Sequence, residues 1–171
     1  MDHEPILREE LIKNGAIQGR EALSWLENHG SWVSRGSMHR LDHLEPRQAL
    51  SRDQVSGEMV PDSEPGVSAT DSLDIAIFRS LISRHRDATA GKPHLSSFGK
   101  TGDEVMYSTT EDALERARSH STVGYVHVFP RSDFVSYNDF EFRVNHSVEP
   151  VYVVAVKGKD LPEGIDVVEV P

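Results

Sequence analysis

The sequence predicts an α+β fold in which N-terminal helices pack against a small mixed, mostly antiparallel β-sheet core. Two observations lead there: helical periodicity fills the first thirty residues, and alternating or β-branched runs fill the last third of the chain. That order favours segregated helices and strands over an alternating parallel sheet. A chain of 171 residues fits a single domain over 1–171, with a helical layer at 1–30 and an α+β core at 31–171.

Residues 5–29 read as two short helices broken at Asn14-Gly15. Ile6, Leu7, Leu11 and Ile12 share one helical face, and Ala22, Leu23, Trp25 and Leu26 repeat the pattern until Asn28-His29-Gly30 stops it. Trp32-Val33-Ser34 begins a strand. Arg35-Gly36-Ser37 follows it where a turn, or a ligand approaching the backbone, calls for glycine. Glu45 to Pro65 is polar with three prolines and reads as a loop that holds no fold element. Gly66-Val67-Ser68-Ala69 is a short strand. Thr70 or Asp71 caps the next helix, which Leu73, Ile75, Ala76, Ile77, Phe78, Leu81 and Ile82 make apolar almost all round and therefore central.

Residues 84–103 read as a second polar loop, and Val105-Met106-Tyr107 as a strand. Ser108-Thr109-Thr110-Glu111 matches a capping box for a helix over 110–119. Gly124 to Phe129 and Phe140 to Val144 alternate as strands do. Val151 to Val156 is almost entirely β-branched and is expected at the centre of the sheet, with Ile165 to Val170 adding an edge strand.

Composition narrows the function classes. Eighteen basic against 28 acidic residues give a formal charge of −10, which repels a phosphate backbone, so general nucleic-acid binding is not expected and an acidic surface would suit a basic protein partner. The absence of cysteine excludes disulfides, thiolate metal sites and a cysteine nucleophile, and suits a reducing compartment. No run of about 18 apolar residues occurs. Met1-Asp2-His3-Glu4-Pro5 lacks the basic, apolar start of a signal peptide, so a cytoplasmic protein without a membrane span is expected. His39 and His43 have i, i+4 spacing, but Leu41, Leu44 and Pro46 around them read as a turn, and no metal site is expected.

Phosphate-cradling loops, nucleophile elbows and zinc-protease signatures are missing. Three places remain. Arg35 with Gly36 could grip a phosphate or ribose at a strand end, or be a solvent arginine beside a turn glycine. The strand-to-helix junction at Ser68 and Thr70 offers a helix N-terminus to an anion, or Thr70 caps its own helix. Asp139 and Glu141, two apart on one side of a strand, could stabilise an oxocarbenium ion or hold a ribose hydroxyl. Equally, they could form a polar edge on which Arg143 makes an exposed pair of little energetic consequence.

Their order adds to the reading. Arg35-Gly36-Ser37-Met38-His39-Arg40-Leu41-Asp42-His43-Leu44-Glu45-Pro46 resembles a degenerate form of the aromatic-His-Gly-Ser…Leu-x-Pro opening of some bacterial ADP-ribosyltransferase-like proteins. Gly66-Val67-Ser68-Ala69-Thr70-Asp71 and the apolar helix after it are similar to that superfamily's second conserved strand and helix, where the nicotinamide pocket is built. Glu141 stands where the superfamily places its catalytic glutamate. The resemblance covers residues 32 to 156 in order of elements. Arg35, where one branch has His, looks like the Arg-Ser-Glu branch; Ser68-Ala69-Thr70 departs from that branch's Ser-Thr-Ser at the middle position, and Asp139 is unusual two residues before the glutamate. These departures leave room for a binding-only member.

The resemblance implies a split-sheet core, NAD as substrate without a metal, and dissociative cleavage of the nicotinamide–ribose bond. It implies that Arg35 and Gly36 meet the dinucleotide, Ser68 and Thr70 shape its pocket, Tyr107 or Phe78 contacts the nicotinamide, and Glu141 holds the ribose 2′-hydroxyl and stabilises the oxocarbenium ion. Two alternatives stand beside it. One is a non-catalytic interaction protein on the same fold. The other is an RNA 2′-phosphotransferase-like enzyme, which requires Arg35, Arg40, Arg47, Arg79 and Arg143 to cluster.

Overall fold

The computed structural model describes residues 4–47, 50–52, 55–61, 65–82, 96–101 and 103–169. Its order is α1 (Glu4–Lys13), α2 (Gly19–Asn28), β1 (Trp32–Ser37), β2 (Leu50–Arg52), β3 (Met59–Pro61), β4 (Val67–Thr70) and α3 (Leu73–Leu81). There follow β5 (Ser96–Thr101), β6 (Glu104–Thr109), α4 (Glu111–Arg118), β7 (Gly124–Pro130), β8 (Val135–Ser136), β9 (Glu141–Val144), β10 (Tyr152–Val156) and β11 (Asp166–Val167). Six strands form one antiparallel sheet in the order β10-β7-β1-β4-β9-β8. A second sheet, β11-β6-β5, contains the parallel β11–β6 pair. The class is α+β, as the sequence predicts.

The α1–α2 break falls at Asn14-Gly15, where Gly15 takes φ +80°, a conformation that glycine adopts without steric cost. The free N-terminus of α2 finds its acceptor 140 residues away: Arg20 N donates to Asp160 Oδ1 at 3.0 Å. Lys157 N donates to Asp160 Oδ2 at 2.9 Å, so one buried carboxylate serves both segments. Arg20 also pairs with Asp74 of α3 at 2.6 Å, linking the first helical pair to the third helix.

The two faces of the large sheet cover two separate cores. Val126, Val128, Tyr152, Val154 and Val156 pack under α1, α2 and α3, whereas Val33, Val67, Ala69, Phe129, Phe142 and Val144 fill the other with Leu44, Phe134 and Val148. α3 sits directly on β1 and β7. A Cβ on Gly36 would lie 2.1 Å from the Ala76 carbonyl oxygen, and one on Gly124 would lie 2.7 Å from the Ser80 carbonyl oxygen. The glycine at 36 is thus explained by a helix lying on a continuous strand; the turn expected after Ser34 does not form.

Other local expectations are corrected. The stretch 45–65 carries the β2–β3 hairpin, and β5 occupies Ser96–Thr101 within the loop expected over 84–103; residues 84–95 and 102 of that loop lie outside the described residues. α3 is capped by Ser72, whose Oγ accepts from Ile75 N, and Thr70 Oγ1 accepts from Ser72 N at 3.0 Å in the turn before it. α4 is capped by Thr110, two residues later than the capping-box reading. β10 lies at the edge of its sheet. Its apolar character comes from burying Tyr152, Val154 and Val156 against the helices, while Val153 and Ala155 are only half-buried.

Because the atoms facing Gly36 are backbone, they have little room to yield. Gly36→Ala should destabilise the fold by about 1–3 kcal/mol or more, whereas Gly99→Ala, where a Cβ meets nothing within 4 Å, should stay within about 0.5 kcal/mol. Denaturant unfolding of both variants checks this.

Candidate functional site

β1, β4 and β9 are neighbours, and their register gathers the residues singled out in the sequence. Ser34 stands opposite Thr70, Thr70 opposite Glu141, and Ser68 opposite Arg143. The Arg35 guanidinium reaches the Ser68 carbonyl, Nη1 donating at 2.9 Å, and Ser68 Oγ donates to Glu141 Oε2 at 3.3 Å. Arg35, Ser68 and Glu141 therefore form one hydrogen-bonded line across three strands, although 33 residues separate the first two and 73 the second pair.

Arg35 is largely buried, and its pKa is lowered chiefly by that burial, then by the positive charges of Arg79 and Arg47, with Glu141 opposing. Arg79, on α3, keeps an exposed surface yet is hemmed in by protein; burial lowers its pKa and Glu141 counteracts. The Arg79 guanidinium lies 5.5 Å from the centroid of Phe98 on β5, and Phe98 packs edge-on to Phe140, the residue before Glu141. An arginine cluster thus surrounds one carboxylate in a chain that is strongly acidic overall.

Glu141 also accepts from Arg143 Nε on its own strand, and the Arg143 guanidinium stacks 3.6 Å from the centroid of Tyr137. With side chains only 23% and 22% exposed, this is a largely buried pair and not the exposed one expected from the sequence. Asp139 does not share the strand with Glu141: it lies in the exposed turn before β9, where Asn138 Oδ1 accepts from the backbone N–H groups of Phe140 and Glu141.

The expectations for Tyr107, Gly36 and Thr70 change. Tyr107 is 5% exposed and packs on Phe78, ring centroids 5.0 Å apart, so this pair fills the core and neither ring is presented to a ligand. Burial, with the nearby Asp74 charge, pushes the Tyr107 hydroxyl up to about 12. Gly36 is covered by α3, and Thr70 is buried in its own turn. Among the described residues no group of three or more His, Asp or Glu could hold a metal ion, and no helix is long and apolar enough to cross a membrane.

Sequence reasoning missed His127, a fully buried histidine opposite Arg35 in the β1–β7 register. Its Nε2 accepts from Leu41 N at 2.9 Å, which assigns the proton to Nδ1, in contact with the Arg35 carbonyl oxygen at 3.3 Å. One imidazole thus ties the Arg35 backbone to the segment that leads to Arg47. Its signal in the sequence was the polar member of the apolar run Val126-His127-Val128-Phe129.

No protein-family model, no curated protein and no solved structure matches the chain.

Burial, helped by the charges of Arg35 and Arg40 and opposed by the bond to the Arg35 backbone, lowers the His127 pKa to about 4 from 6.5. The unfolded chain binds the proton first as pH falls. The neutral folded form is therefore fully favoured above pH 6.5 and loses that advantage down to about pH 4, a change of roughly 3 kcal/mol at 1.36 kcal/mol per pKa unit. Unfolding free energies of wild type and His127→Gln across this window should diverge by that amount; parallel curves would contradict it.

Proposed function

We propose that the protein is an NAD-dependent ADP-ribosyltransferase-like enzyme that cleaves the nicotinamide–ribose bond. The observation that carries the reading is the line Arg35–Ser68–Glu141, three residue types in the order and on the strands that the resemblance requires, brought into contact across β1, β4 and β9. In this reading the cationic Arg35 holds the dinucleotide through its phosphates or ribose. Ser68 and Arg143 hold one oxygen of Glu141, and the carboxylate accepts the ribose 2′-hydroxyl. As the C1′–nicotinamide bond breaks, its electron pair leaves with nicotinamide, and Glu141 stabilises the positive charge on the ribose until an acceptor or water bonds to C1′.

A second reading draws on the arginine cluster. Arg47 and Arg79 lie within electrostatic reach of Arg35, and Arg143 pairs with Glu141, which favours a phosphorylated ligand and meets much of the requirement of an RNA 2′-phosphotransferase-like enzyme. Release of 2′-phosphate from an RNA oligonucleotide in the presence of NAD would support it over the first.

Thermal unfolding with NAD, joined to a nicotinamide-release assay, tests the first reading. At about a hundred times its dissociation constant NAD should add about 2.7 kcal/mol of stability to the wild type, and Arg35→Ala should lose that gain. Glu141→Gln should keep the stabilisation while losing about 10²-fold or more of the turnover. Stabilisation without nicotinamide release in the wild type would make this a binding protein, and no stabilisation at millimolar NAD would refute the reading.

A further inference from the structure

Among the described residues the Glu141 carboxylate is held on one side only. Glu141 and Arg143 lie on the same side of β9 while Phe142 and Val144 enter the second core, so the two polar side chains are fixed neighbours. Arg143 meets Oε2 through Nε, the side-on nitrogen, which leaves its guanidinium plane lying on the Tyr137 ring. The backbone that carries this half-exposed ring is tied to the same strand. Tyr137 N and Asn138 N both donate to the carbonyl oxygen of Glu141, at 2.8 and 3.2 Å, and Val135 of β8 stands opposite Arg143 in the register. Ser68 Oγ supplies the second donor to Oε2, whereas Oε1 takes no hydrogen bond from the described residues.

We propose that Arg143, stacked on Tyr137, is a positioning residue for Glu141: it immobilises Oε2 beside Ser68 so that Oε1 stays open to a hydroxyl group of the ligand. The inference rests on the reading of Glu141 as the group that meets the ribose, but its geometric content is independent of NAD. A carboxylate at the end of three rotatable bonds would otherwise be drawn towards Arg35 and Arg79, whose charges it feels. The guanidinium suits the task because it donates from its edge while its face stacks, which an ammonium group cannot do.

The test uses Arg143→Gln, Arg143→Lys, Tyr137→Leu and the Arg143→Gln/Tyr137→Leu double variant, each checked for folding by its melting curve without ligand. With nicotinamide release as readout, Arg143→Gln should lower kcat by about 10²-fold while KM for NAD moves less than about threefold. Arg143→Lys should recover part of the loss. Tyr137→Leu should lose less, and the double variant should be no worse than Arg143→Gln, because the ring acts through the arginine. Wild-type kcat in Arg143→Gln, a loss confined to KM, or multiplying losses in the double variant would overturn the proposal. If the wild type releases no nicotinamide, the functional reading fails, and crystal structures of wild type and Arg143→Gln decide this proposal separately. Glu141 swung away from Ser68 in the variant upholds it, and an unmoved Glu141 sinks it.

Discussion

The contact on which the rest of the structure depends is the close approach of α3 to the β1–β7 pair at two glycines. Gly36 and Gly124 permit it, bringing the helix backbone at Ala76 and Ser80 against the sheet. Since α3 begins two residues after β4, this docking also holds β4 beside β1, and β4 in turn carries β9. Arg35, Ser68 and Glu141 come together as a consequence of that order. Past Ser34–Thr70 it is the Arg35 side chain that reaches the Ser68 carbonyl. The same close approach that fixes the fold therefore places the candidate site at a seam of the sheet.

Electrostatics gives the seam its character. The chain as a whole is acidic, yet Arg35, Arg79 and Arg143 act on Glu141, and burial together with repulsion from Arg79 and Arg47 disfavours the charged form of Arg35. His127 stays neutral beneath it, which spares the site a further positive charge while joining the Arg35 backbone to the Leu41 amide. Asp160 does the corresponding work at a distance, closing the N-terminus of α2 so that the helical layer is anchored to the far end of the chain.

Much of this was legible in the sequence, because local periodicity carries it. The paired N-terminal helices, the apolar α3, and the strands at 67–70, 124–130 and 141–144 follow from spacing alone. Arg35, Ser68 and Glu141 were also nameable, since a charged or polar residue at a strand end is conspicuous. Their contact was not, because it depends on strand order, which no local pattern encodes. The errors have the same origin. Tyr107 looked available to a ligand until its partner Phe78 was placed; Gly36 looked like a turn or a ligand contact until a helix was found on it. β10 looked central because burial on one face reads, in an apolar run, much like burial on two. The β2–β3 hairpin and β5 were hidden because their stretches of chain are polar and punctuated by Gly and Pro, a composition that reads as loop.

A crystal structure of the protein with bound NAD tests the central claim most directly. The diphosphate or adjoining ribose should lie within hydrogen-bond distance of Arg35 and the nicotinamide ribose hydroxyl on Glu141, with Ser68 still donating to the same carboxylate. NAD bound elsewhere, or Arg35 and Glu141 left without ligand contacts in a saturated crystal, would contradict it.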